Sequence, residues 1–213
     1  METGPKVGPA RLTPRGLETR SRIVATAAEL MRVRGVGGTT LDDVVLASKV
    51  SKSQLYRHFE DKPALVRAVI ELVGEQTIAG ERERLQKVRT LAGLRRWRDA
   101  LVARNALHEG RYGCPLGSLA NEIADQDAVA RTKLDGLFTA WHELFEDLLR
   151  RFQRDGVIPP DADVTQLATG FVAAVQGGYL LAQTSRDVTP MASAIDMAIA
   201  HLTLLERERD EAP

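Results

Sequence analysis

The sequence has a single cysteine, Cys114, among 213 residues. No intramolecular disulfide can form, no thiolate cluster is available to hold zinc, and a reducing compartment suits such a chain. No two of the four histidines, His58, His108, His142 and His201, stand at helical metal-pairing distance. An apolar signal core at the N-terminus and an uninterrupted apolar run long enough to span a bilayer are both missing, which predicts a soluble, cytoplasmic protein. No segment alternates as a strand would, no internal repeat is visible, and no glycine-rich phosphate loop or nucleophile elbow occurs in its required strand-to-helix setting. These absences argue against an enzyme and against any metal or cofactor. Net charge is missing too, with 29 Lys+Arg against 29 Asp+Glu.

What the chain does have is helix-forming composition: Ala, Leu, Arg and Glu are plentiful, with 44% hydrophobic and 27% charged residues. Its neutrality hides an asymmetry. Residues 1–62 hold eleven Lys/Arg against seven Asp/Glu, a net of +4, and the remaining 151 carry −4. A basic head on an acidic body suggests an anionic partner for the head. The cations concentrate in KVSKSQLYRHFEDK, where Lys49, Lys52, Arg57 and Lys62 surround the inward pair Leu55 and Phe59.

Helical periodicity places that stretch. Residues 1–17, rich in Pro and Gly, read as a flexible tail carrying Lys6, Arg11 and Arg15. Ile23, Ala27, Leu30 and Met31 define one face of a first helix, which Gly35 ends. Thr40 with Asp43, and Ser51 with Gln54, have capping-box spacing and start two short helices separated by a tight turn at Lys49-Val50. Asp61 caps a fourth helix with Pro63 in its first turn. Two short helices across a tight turn make a helix-turn-helix, spanning 18–62 with the first helix. Its second helix would enter the major groove, with Ser51, Lys52, Ser53 and Gln54 at the bases and Tyr56, Arg57, His58 and Lys62 at phosphate and sugar; Thr40 and Lys49 lie alongside. Residues 63–213 predict five or so further helices, for an all-α chain of about nine: 62–88, 91–108, 116–124, 128–154, 165–184 and 190–207.

The run TTLDDVVLASKVSKSQLYRHFEDKPALVRAV resembles the DNA-binding domain of tetracycline-repressor-type (TetR/AcrR family) bacterial transcriptional regulators. The carriers are the Thr pair, Val-Ser at the turn, Leu-Tyr-Arg-His-Phe, and Lys followed by an apolar helix; the likeness covers Thr19–Ile70. Two positions depart from the family's pattern. Lys49 stands where glycine is usual, at a cost of about 1 kcal/mol if the backbone there is left-handed. Val45 stands where a small residue lets the two helices approach.

The resemblance implies a homodimer that binds a palindromic double-stranded operator and a C-terminal domain, 63–213, that dimerises and holds a small effector. Candidates to line the effector pocket are Trp97, Leu101, Cys114, Leu116, Leu119, Asn121, Leu137, Phe138, Trp141, Phe171, Val175 and Tyr179, a mostly apolar set suited to a hydrophobic or amphipathic molecule. RYGCPLGSLANEIAD resembles a segment found in one branch of the family. The helix TQLATGFVAAVQGGYLLAQ is apolar around most of its circumference and MASAIDMAIAHLTLL carries apolar residues at helical spacing, which adds support for dimerisation. Gln176, Gly177, Leu180, Ala192, Ile195, Ile199 and Leu202 are the candidates for an isologous four-helix interface. Repression relieved by the effector is the commoner sense in such a family. The alternatives are a regulator that senses oxidants through Cys114, with Arg111 and a helix N-terminus lowering its pKa, and an interaction module whose basic head binds acidic proteins.

Overall fold

The computed structural model describes residues 13–211. Among them are nine α-helices and no strand: α1 Pro14–Arg34, α2 Leu41–Ser48, α3 Lys52–His58, α4 Lys62–Leu85, α5 Leu91–Ala106, α6 Pro115–Ile123, α7 Ala128–Arg154, α8 Val164–Ser185 and α9 Thr189–Glu211. The all-α expectation is met, and the helix limits differ from it by a few residues. The clearest difference is at the start. Pro14–Leu17 were expected in a flexible tail but form the first turn of α1, because the Thr13 hydroxyl accepts from Gly16 N at 3.2 Å and Pro14 occupies a position that needs no N–H donor. Lys6 and Arg11 of the expected tail lie outside the described residues.

The chain divides into two compact units, 1–69 and 70–213, at a boundary inside α4. In the first unit, Ile23, Ala27 and Met31 of α1 are buried with Val44 of α2, Leu55 of α3, Phe59 and Leu65. Arg20 lies over the Phe59 ring, 5.1 Å from its centroid. Helices of eight and seven residues, the lengths of α2 and α3, are too short to persist alone in water. What holds them is the buried cluster and their ends.

In the second unit α8 packs along α9 and α7, α9 also meets α5, and α6 meets α7. The core between them is aromatic. Phe145 stands edge-on to Trp97 at 5.5 Å and stacks on Phe171 at 5.3 Å. At Gly178 two helices approach closely: a Cβ there would lie 2.8 Å from Met191 Cα, so α8 meets the backbone of α9 with no room for a side chain. No described helix is long and apolar enough to cross a membrane.

Candidate nucleic-acid interface

The recognition turn is built by short-range hydrogen bonds. Thr40 Oγ1 accepts from Asp43 N at 3.1 Å while Asp43 Oδ2 accepts from Thr40 N at 2.9 Å. Ser51 Oγ accepts from Gln54 N at 3.2 Å while Gln54 Oε1 accepts from Ser51 N at 2.8 Å. Both are complete capping boxes, each satisfying two orphan donors at a helix start. The bonds from Thr40 hold the Asp43 carboxyl below its usual range, and the nearby Arg34 assists. Asp61 caps α4, its Oδ1 accepting from Ala64 N at 2.7 Å.

Between the short helices Lys49 adopts φ 56°, ψ 40°, the left-handed conformation that glycine would take without strain. Its N–H still bonds back to Leu46 O at 3.4 Å. A lysine thus occupies the glycine position, keeps the glycine geometry, and adds an exposed cation beside α3.

The first turn of α3 is exposed, as the sequence predicts, yet its polar groups already have partners. Gln54 Oε1 belongs to the cap, so one of the oxygen's two lone pairs is already taken and its direction is set by the helix start, which constrains the bidentate grip on adenine that needs that oxygen too. The hydroxyls of Ser51 and Ser53 share a hydrogen bond of 2.9 Å. Lys52 Nζ lies 2.9 Å and 3.2 Å from the two carboxylate oxygens of Asp42 on α2, and that contact raises the Lys52 pKa. Lys49, Arg57 and Lys62 have no ion pair or hydrogen bond from their side chains among the described residues; Lys49 and Arg57 are exposed, Lys62 is half-buried, and Tyr56 is 53% exposed. These four are the groups presented to a phosphate.

His58 differs from the expectation that set it among the phosphate contacts. It is only half-exposed, its Nδ1 is buried without a partner, and burial followed by repulsion from Arg20 and Arg57 pushes its pKa down. A mostly neutral imidazole results, which adds little positive charge at pH 7.

The pocket candidates divide. Trp97, Leu101, Cys114, Leu116, Leu119, Trp141, Phe171 and Val175 are buried, while Leu137, Phe138 and Tyr179 are half-buried. Asn121 is exposed on α6 and does not join them. Phe145, which the sequence reading left out, is the ring that links Trp97 to Phe171. Polar groups also lie in this core. Trp97 Nε1 donates to the buried Glu81 at 3.0 Å, and Arg84 and Arg104 approach the same carboxylate at 2.8 Å and 3.5 Å. Burial raises the Tyr179 pKa, and Cys114 and Glu81 add to the effect. Trp141 Nε1 is buried with no hydrogen-bond partner. His142 and Glu146 approach to 3.8 Å at helical spacing, but no described cluster could hold a metal.

Cys114 is 3% exposed, and Gln176 Nε2 donates to its sulfur at 3.4 Å. Burial raises the thiol pKa, outweighing bonds from Gly117, Gln176 and Leu116 that act the other way. The α6 N-terminus does pull the pKa down through the amides of Leu116 and Gly117, but burial outweighs it and Arg111 takes no part, so the net shift runs against the lowering that a sensor thiol would use.

The dimer candidates are corrected most. Ile195, Ile199 and Leu202 are buried within the single chain, Ala192 is half-buried, and Gln176 is engaged with Cys114. Of the seven, only Gly177 and Leu180 are open to solvent. The apolar surface of α8 and α9 lies a step round each helix instead: Gly170, Ala174, Ala194, Met197, Ala198 and His201 line an open groove of about 730 Å³, and Met197 is 76% exposed. The richest apolar stripe of α9 serves its own core, and the second stripe, interrupted by His201, faces outward.

Comparison with known proteins agrees with this architecture. A family model for bacterial regulatory proteins of the tetR family matches residues 23–69, and one for a tetracyclin repressor-like C-terminal domain matches 87–198. The HTH-type transcriptional repressor DhaR of a Mycobacterium species is 26% identical over 175 residues, covering 81% of this chain and 86% of DhaR. A regulatory protein TetR from Rhodobacter sphaeroides superposes with TM-score 0.77 at 23% identity, covering 86% of this chain and 98% of that one. A cysteine-substituted CifR, solved on a 26 bp operator duplex, superposes with TM-score 0.70 at 19% identity over 91% of this chain and 98% of its own.

Proposed function

This chain belongs to the TetR family of bacterial transcriptional regulators, and from that premise we propose that it is a cytoplasmic repressor, binding a palindromic operator as a homodimer and released by a small amphipathic effector. The observation that carries the DNA reading is the doubly capped recognition turn with Lys49, Tyr56 and Arg57 exposed around it and a half-buried Lys62 at the start of α4. Phosphate contacts fix the register of such a helix and give affinity its salt dependence. The sense of regulation is supported by DhaR, a repressor by name.

Dimerisation is supported by the outward groove of α8 and α9, where Met197 is exposed among small apolar side chains of both helices. Two copies related by a two-fold axis would bury it and bring two recognition helices to half-sites about one helical turn apart. The effector would lodge in the second unit near Trp97, Phe171 and Tyr179, where apolar walls meet the carboxylate of Glu81. It acts by binding better to a conformation whose heads are spaced wrongly for DNA, and operator affinity falls by that difference.

The test is fluorescence anisotropy on duplex DNA from upstream of the protein's own gene, across a salt series, beside a Tyr56→Phe/Lys62→Ala variant. The wild type should bind far above scrambled duplex, and the variant more weakly with a shallower salt slope. Sedimentation of Met197→Arg should show a monomer with reduced operator affinity. No binding at low salt would refute the DNA reading, and an unchanged dimer would refute the groove as interface.

A further inference from the structure

Asp42 is not among the residues the sequence places at the DNA, and the cap of α2 does not need it. Asp43 caps α2 and meets Arg34 at 3.5 Å. Asp42 makes one described contact, to Lys52, and both side chains are about two-thirds exposed. Because Lys52 begins α3, the turn that meets base edges in a helix-turn-helix, its partner lies at the same place.

We infer that Asp42 and Lys52 act as one unit that reads a single G·C base pair, and the strand on which its guanine lies. The inference rests on the DNA reading above. The physical basis is spacing. In a G·C pair the guanine O6 acceptor and the cytosine N4 donor are hydrogen-bonded to each other, about 2.9 Å apart, and both face the major groove. Lys52 Nζ and Asp42 Oδ1 present a donor and an acceptor 2.9 Å apart. An ammonium has three donors and a carboxylate about four lone-pair sites, so each can serve its neighbour and a base together. Lys52 then donates to guanine O6, with a second N–H toward N7, while Asp42 accepts from cytosine N4.

The same unit rejects the other pairs. Reversing G·C to C·G sets the carboxylate against O6 and the ammonium against an amine. A T·A pair keeps a central acceptor and donor, but it puts the thymine methyl beside the ammonium and the adenine N7 lone pair beside the carboxylate. A·T fails at both central positions. The order is therefore G·C, then T·A, with C·G and A·T last, at one position of each half-site. The flanking charge of Asp42 also weakens attachment to phosphate in general, which favours the correct site over bulk DNA.

The experiment uses the full chain. Selection from a randomised duplex pool defines the wild-type site, and anisotropy competition then measures all four base pairs at each half-site position for wild type, Asp42→Ala, Asp42→Asn and Lys52→Ala. Thermal melting checks that each variant folds, and the exposure of both residues makes this a mild demand. At one position the wild type should prefer G·C over C·G on the order of tenfold. Both Asp42 variants should bring that ratio close to one while preferences elsewhere persist. A uniform gain in affinity for every duplex would mean that Asp42 is only a repelling charge, and unchanged preferences would mean it is a bystander; either result overturns the inference and leaves the DNA reading intact. If the wild type selects no motif, the DNA reading and this inference fall together.

Discussion

Replacing Lys49 with glycine separates two effects that the structure places on one residue. At φ 56°, ψ 40° the lysine Cβ crowds the following carbonyl, at a cost of about 1–2 kcal/mol that glycine avoids. Glycine also loosens the unfolded chain, which returns roughly 0.5–1 kcal/mol. The net expectation is a gain of about 0.5–1 kcal/mol, or roughly 2 °C in melting temperature for a chain of this size. The Lys49→Gly variant also loses an exposed cation next to α3, so its operator affinity should fall with a salt slope shallower by up to about 1. Lys49→Ala is the control, because it removes the charge and keeps the strained backbone. Melting and salt-dependent anisotropy on all three proteins therefore give a pattern: both variants share the shallower slope, and only the glycine variant is more stable. If Lys49→Gly melts no higher than Lys49→Ala, the left-handed turn stores no strain and the reasoning fails.

Folded His58 holds its proton less tightly than the unfolded chain does, so protons favour unfolding. Its contribution is intact above pH 6.5 and is lost as pH falls through that value and then the lower folded pKa; urea midpoints at pH 7.5, 6.5 and 5.5 should decline, and His58→Gln should flatten the decline. Gly178→Ala should destabilise because its new methyl meets Met191, whereas Gly177→Ala has open space and should stabilise the fold by up to about 1 kcal/mol, read as a higher urea midpoint. An aromatic disulfide reagent should leave Cys114 untouched in the native protein and titrate one thiol in urea; rapid native reaction would revive the oxidant-sensing alternative.

What could be read from the sequence followed how far apart the interacting residues lie. Thr40 with Asp43, Ser51 with Gln54, and Asp61 ahead of Pro63 are three-residue patterns, and each became the cap its spacing required. Proline and glycine content hid the start of α1, because Pro14 reads as a breaker until Thr13 is seen to cap it. His58 could not be placed from its own helix, since Arg20 acts on it from another. The Asp42–Lys52 contact joins two helices, and no local pattern announces it. On α9 the stripe of Ile195, Ile199 and Leu202 is apolar enough for a core or an interface, and only packing against the rest of the chain decides between them.

The cap on α3 has a consequence for how such a protein could change its target. Gln54 spends its oxygen on the helix start, so a substitution there that alters base preference also loosens the helix that carries the preference. Positions 52 and 53 carry no such double duty to the backbone. Mutational drift toward a new DNA sequence should therefore run through those two neighbours first, and a successful exchange at position 54 should arrive together with a second change that restores the helix end.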